Sequence, residues 1–222
     1  PGVLVDEGPF GEYTGFRASP RSPRSVWQVE CITWQDDPIM TMSNMGVPID
    51  EGQLVYGTIS LSAAYKEALQ AAGIPVTGVY VPPEGCSWIV IVSVMKVLNE
   101  IAAWIASVLN SHRIGMGAIS LIIVVDHTVD PFNIGEVMHA VSGRLHPLKG
   151  HFTIPGIGSP LAPFLSLQER MSMRGGKLIL DATWPLEWDP ETEKPTKMSF
   201  NETYPPELQE KVLDNWQKYG YK

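Results

Sequence analysis

Apolar residues recur along this chain with two different periods, and the changeover between them marks its organisation. The segment SVWQVECITW, Ser25 to Trp34, is rich in β-branched and aromatic residues, QDDP breaks it, and IMTMS at Ile39 to Ser43 resumes an extended pattern. This pattern predicts a β-hairpin. After Asp50-Glu51-Gly52 the period lengthens: in SLSAAYKEALQAAG, Leu61, Ala64, Tyr65 and Ala68 share one helical face, and Gly73 closes the helix. PVTGVYVPP then predicts a short strand and SWIVIVSV a buried one. VLNEIAAWIASVLN predicts a helix with Leu98, Ile101, Trp104, Ile105 and Val108 on one side. SLIIVV predicts another strand, and Asp130 is placed to cap a helix that starts at Pro131 and buries Val137, Ala140 and Val141.

Strands alternating with helices make βαβ units, so the fold class expected is α/β with a mainly parallel sheet. Functional groups in such sheets gather where strands end, and Asp126-His127-Thr128 occupies one such end. Beyond Gly150 the chain is rich in Pro and Gly and shows no regular period until a last helix, Pro206 to Tyr219, with Leu208, Val212, Leu213 and Trp216 on one side. The boundaries expected are residues 1–60 for a β-rich unit and 61–222 for an α/β domain with a helical tail.

Composition narrows the function. The 222 residues carry 16 Lys and Arg against 24 Asp and Glu, a formal charge of -8 without a long run of one sign, which argues against nucleic-acid and anionic-membrane surfaces. The longest apolar run, Ile114 to Val125, is too short to span a bilayer, and no secretory leader pattern opens the sequence, so a cytoplasmic location is expected. Cys31 and Cys86 stand far apart without metal-ligand spacing and are expected as buried, reduced thiols. The histidines show no HxxxH pair: His112, His139 and His146 read as surface groups, His151 as weaker still, and no metal site is assigned.

The candidate chemistry sits near the start, in EGPFGEYTGF, Glu7 to Phe16. Glycines at 8 and 11 with Pro9 between them specify a rigid, non-repetitive turn, and a tight turn can bring Glu7 and Glu12 toward one cavity. Two carboxylates so placed suit acid/base work; alone, they read more readily as solvated turn groups. His127 at its strand end is a second candidate for a substrate contact, although a lone His in such a loop reads more readily as structural. Met45, in the run Met40, Met42, Met45, is a third: it either fills an irregular core or lines an aromatic pocket. Cys86 in PPEGCSW reads as part of a rigid loop feeding the sheet rather than as a nucleophile.

EGPFGEYTGF closely resembles the signature of the UbiD-type decarboxylases, which use prenylated FMN. VYVPPEGCSW at Val79 to Trp88, VVDHTVDPFNIGEVMHAVSGR at Val124 to Arg144 and LILDATWP at Leu178 to Pro185 resemble the same family in the same order. The ending SFNETYPPELQEKVLDNWQKYGYK is most similar to the branch acting on hydroxylated aromatic acids. The resemblance implies a fold made of the last strands of a flavin-binding split β-barrel followed by the α/β domain. It implies reversible, non-oxidative decarboxylation of an aromatic acid, with CO2 as co-product. Glu12 would return a proton to carbon, and Glu7 would pair with an arginine that family members carry in the half preceding this one.

Family members are about twice as long, so the chain resembles their C-terminal half. The resemblance places most ligands of prenylated FMN, of a divalent metal such as manganese and of potassium in the preceding half, and cofactor-binding residues here stay unassigned. It also implies a homo-oligomer. Where many relatives carry Lys before the strand ending in the acidic turn, Ser120 stands here. The other reading is a non-catalytic assembly half of a split or truncated decarboxylase. An unrelated small hydrolase is disfavoured because GxSxG is absent.

Overall fold

The structure is a computed structural model that describes residues 2–17, 20–111 and 119–221. His112 and the start of the apolar run at Ile114 lie outside the described residues. Contacts divide the chain into two units, Pro1–Thr183 and Trp184–Lys222.

The first unit opens with strands β1 (Leu4–Glu7) and β2 (Ser22–Ser25), paired antiparallel with Leu4 opposite Ser25 and Glu7 opposite Ser22. The hairpin expected over 25–43 is not formed: β2 ends at Ser25, and no strand is assigned among residues 26–44. The reason is the lack of a partner. Trp27 is 92% exposed and Ile39 90%, so strand-forming side chains here have no second surface to pack on.

Helix α1 is π-helical over Gln53–Leu61 and α-helical over Ser62–Ala71, starting earlier than the sequence pattern predicts and burying Leu61, Tyr65 and Leu69. Then follow β3 (Val76–Tyr80), β4 (Ile89–Val94), α2 (Ile101–Ser111), β5 (Leu121–Asp126), α3 (Ile134–Arg144), β6 (His151–Ile157), α4 (Leu167–Ser172) and β7 (Arg174–Ala182). The five strands pair in the order β3-β4-β5-β7-β6. The central pairings, β4 with β5 and β5 with β7, are parallel, and both edge pairings are antiparallel. The α/β class stands, with the parallel character confined to the centre.

Alternation along these strands builds two cores. Val90, Val92, Val94, Ile122, Val124 and Ile179 face α1 and α2, while Ile91, Ile123, Val125 and Ala182 face α3. Each central strand is therefore apolar on both faces, which is why SWIVIVSV and SLIIVV read as continuous apolar runs.

Two expectations need correction. Helix α3 is capped by Asn133, whose side chain accepts from the Glu136 N–H, and not by Asp130. Asp130 instead accepts from the Phe132 N–H at 3.0 Å, turning the chain one step earlier. The stretch beyond Gly150 also holds β6 and β7. Its glycines allow close strand approach: a Cβ on Gly175 would lie 2.8 Å from the Gly158 Cα.

The second unit contains α5 (Phe200–Thr203), α6 (Pro206–Asp214) and a 3-10 turn (Trp216–Tyr219), so the expected final helix breaks at Asn215. Leu208, Leu213 and Trp216 are exposed and Val212 is half-buried.

Candidate active site

The turn after β1 is held by its own backbone and by close packing. The Glu12 N–H donates to the Phe16 carbonyl at 3.1 Å, the Gly15 N–H donates to the Glu12 carbonyl at 2.9 Å, and the Arg21 Nε donates to the Gly8 carbonyl at 2.9 Å. Gly15 has φ +79, and a Cβ there would lie 2.7 Å from Pro48 Cγ, so both angle and space demand glycine. On the far side, Tyr13 stacks on Trp88 with ring centroids 6.4 Å apart, and Trp88 meets Phe164 edge-on at 5.5 Å. The turn is thereby anchored to the start of β4.

Glu7 and Glu12 line one cavity of about 100 Å³ together with Phe10, Arg24, Pro160 and Leu161. Burial first, and the Glu7 charge second, raise the Glu12 carboxyl above its ordinary range. Glu7 is exposed and pairs with Arg24 of β2, Nε to Oε2 3.5 Å, a surface pair of small energetic weight.

A second cavity of about 340 Å³ is lined by Tyr13, Met45, Gly52, Gln53, Tyr56, Leu61 and Ser87. Tyr13 follows Glu12 directly, so one turn contributes to both cavities. The Tyr13 phenol is pushed up to about 12, by burial first and then by Cys86, Glu12 and Tyr56. Burial likewise raises Tyr65, one helical turn beyond Leu61. Among the described residues, Thr14 Oγ1, Asp50 Oδ2, Thr58 Oγ1 and Tyr65 OH are buried without a hydrogen-bond partner. All four belong to the turn and helix segments that wall this cavity, and unsatisfied buried polar groups gather at working sites because each costs folding free energy.

Of the residues singled out from sequence, Glu7, Glu12 and Met45 come together around this turn. His127 is exposed at the carboxyl end of β5 and lines neither cavity. Met40 and Met42 are exposed. Both cysteines are free, as expected, but only Cys86 is buried; Cys31 is exposed because its segment lacks a strand partner. Burial pushes the Cys86 thiol up, in keeping with an inert side chain. His139, His146 and His151 are exposed, and among the described residues no group of three His, Cys, Asp or Glu could hold a metal ion.

Sequence reasoning missed Tyr13, Gln53, Tyr56 and Ser87. The signal available was the π-helical segment: such helices cluster at functional sites, but the pattern of QLVYGTISL does not announce one. It also missed Lys177 on β7, 1% exposed, whose Nζ donates to the Ile119 carbonyl at 2.9 Å, next to Ser120.

Against known proteins, residues 1–48 match the profile described as the 3-octaprenyl-4-hydroxybenzoate carboxy-lyase Rift-related domain, and residues 55–182 match the C-terminal domain of the same carboxy-lyase. The chain belongs to the UbiD family. Among UbiD relatives, the pyrrole-2-carboxylic acid decarboxylase of Pseudomonas aeruginosa is 29% identical over 223 residues, covering 97% of this chain and 45% of that protein. The vanillic acid decarboxylase of Sedimentibacter hydroxybenzoicus in its closed form superposes with a TM-score of 0.81 at 28% identity, over 98% of this chain and 44% of that one. The UbiD-class enzyme HmfF of Pelotomaculum thermopropionicum, solved in complex with FMN, gives 0.72 at 25% identity over 90% of this chain and 43% of that one. The chain thus spans about 45% of the length of the UbiD proteins it matches.

Proposed function

We propose that this chain forms the proton-donating side of a decarboxylase acting on an aromatic, hydroxylated carboxylic acid. The observation that carries the reading is Glu12: half-buried, its carboxyl raised above the ordinary range by burial first and Glu7 second, and joined through Tyr13 to a mostly apolar cavity. That cavity, at about 340 Å³, lies at the small end of ligand sites, which run roughly 300–1,000 Å³, and suits a single aromatic ring.

In this reading Met45, Tyr56 and Leu61 pack against the ring, and Ser87 forms its polar corner. The carbon–carbon bond to the carboxylate breaks, CO2 leaves, and the electron pair stays on the ring carbon. Prenylated FMN, when bound, supplies the sink for that pair. Glu12 transfers its proton to the same carbon, leaves as carboxylate, and is reprotonated from solvent; the reverse sequence is carboxylation. Glu7 keeps Glu12 protonated into a higher pH range.

The described residues do not fit the phosphate or metal end of such a cofactor. The groups around the carboxylate cavity are two acids, one arginine, Ser22 and otherwise glycine, proline and apolar side chains, and among the described residues there is no cluster of metal-binding groups. The chain's own part is confined to substrate and proton. A second reading, an assembly half without activity, is favoured by the exposed apolar side chains of residues 26–42.

The test is Glu12→Gln in the flavin-loaded enzyme containing this chain. A carboxamide keeps the shape and cannot deliver the proton, so turnover should fall by about 10²–10⁴-fold at unchanged flavin content. Equal rates in variant and parent would overturn the assignment. Absence of flavin absorbance and turnover in the parent would favour the assembly reading.

A further inference from the structure

Gln53 commits its side-chain amide to three separate segments. Its Oε1 accepts from the Asp50 N–H at 3.1 Å while its own N–H donates to Asp50 Oδ1 at 3.0 Å, a reciprocal pair of the capping-box kind that opens the helix. Its Nε2 donates to the Tyr13 carbonyl and, at 3.2 Å, to Cys86 Sγ. A carboxamide has two N–H donors, so both are committed. The side chain is 1% exposed, and a buried donor that lost its acceptor would carry the full desolvation cost.

The three segments it joins each carry part of the site. Tyr13 follows Glu12. Asp50 sets the first turn of the π-helix that presents Tyr56. Cys86 begins a pair of left-handed residues, φ 48 at Cys86 and φ 65 at Ser87, that deliver Ser87 to the cavity wall. Neither is glycine, and such backbone persists only where the surroundings hold it. The helix comes close here because Gly57 has no side chain: a Cβ would lie 2.9 Å from Ser87 Oγ.

We infer that Gln53 is a positioning residue that locks the Glu12–Tyr13 turn and the Cys86–Ser87 loop to one helix, fixing the distance from proton donor to ring pocket. The inference rests on the decarboxylase reading for its catalytic consequence, and on the hydrogen bonds alone for its structural one. Gln53 does not touch the reacting carbon. Its effect is to hold Glu12 where the proton is needed, and small displacements of such a group reduce rate more than affinity.

The test uses Gln53→Glu and Gln53→Met in the flavin-loaded enzyme. Glutamate is favoured at this capping position, so Gln53→Glu keeps the helix start and replaces both Nε2 donors with an acceptor. Two readouts are taken. Amide hydrogen exchange at Glu12 and Gly15 reports the turn directly, and the kcat–pH profile reports the setting of Glu12.

The result expected is faster exchange at both amides, a fall in kcat of roughly tenfold to a hundredfold with KM within about twofold, and a displaced Glu12 limb. Unchanged exchange in a folded Gln53→Glu variant overturns the lock. So does faster exchange with kcat and the pH limb unmoved. If the parent shows no turnover while exchange rises in both variants, the decarboxylase reading fails and the lock stands. Should Gln53→Met not fold, Gln53→Glu decides alone.

Discussion

Glu7 and Glu12 line one cavity from the two ends of the turn that begins at Gly8, and the charge on Glu7 tightens the hold of Glu12 on its proton. Burial is the larger cause, so the acid would remain raised without its neighbour, by less. The pair is asymmetric: Glu7 stands exposed beside Arg24, and Glu12, half-buried, is the carboxyl whose hold on its proton is strengthened.

A pH prediction follows from the direction of that shift. Activity that needs protonated Glu12 should decline as pH rises through its folded pKa, and Glu7→Gln should move that decline to lower pH. Stability follows the same sign: the folded state binds the proton more tightly than the unfolded one. Stability therefore falls as pH rises from the ordinary value of 4.5 to the raised folded value, and Glu12→Gln should remove that fall. Thermal melts across this window, parent against variant, check it; parallel curves would refute it.

Gly15→Ala should damage the turn. It forces a side chain into a left-handed backbone, at about 1–2 kcal/mol, and onto Pro48 at 2.7 Å. Lower thermal stability together with lost turnover is expected, and a variant with parental values of both would show that the turn yields more readily than its packing implies.

Arg144→Met should be costly for a different reason. Arg144, in the last turn of α3, donates to Asp126 Oδ2 at 2.9 Å, and both side chains are mostly buried at the end of β5. Removing one partner of a buried pair typically costs about 3–5 kcal/mol. Denaturant unfolding measures it; a loss under about 1 kcal/mol would mean that the pair is solvated like a surface bridge.

The tail unit yields a prediction about assembly. Leu208, Leu213 and Trp216 are exposed on a terminal helical segment too short to be stable in water by itself. Truncation before Ser199 should lower the mass of the assembled enzyme in light scattering and leave the preceding unit folded. An unchanged oligomer would show that the segment is covered within its own chain.

What the sequence shows of this molecule depends on range. Period-based elements emerged cleanly, because Val90 to Val94 and Ile122 to Val125 are apolar on both faces and Ile101 to Val108 on one. The acidic turn stood out because both carboxylates and its glycines lie within ten residues, although Arg21, Pro48 and Trp88, which hold it, do not. Gln53 was not, since its partner Tyr13 is 40 residues away. Residues 26–43 failed in the opposite sense: their composition fits a strand, and a strand without a neighbour has no ladder to join.

The sheet order carries a consequence for how the chain leaves the ribosome. Of the five strands of this sheet β7 is made last, and it sits between β5 and β6, so β6 has no neighbour and β5 keeps an open apolar edge until Ala182 has emerged. Nascent chains halted between β6 and β7 would display that edge to one another, the arrangement that nucleates intermolecular pairing.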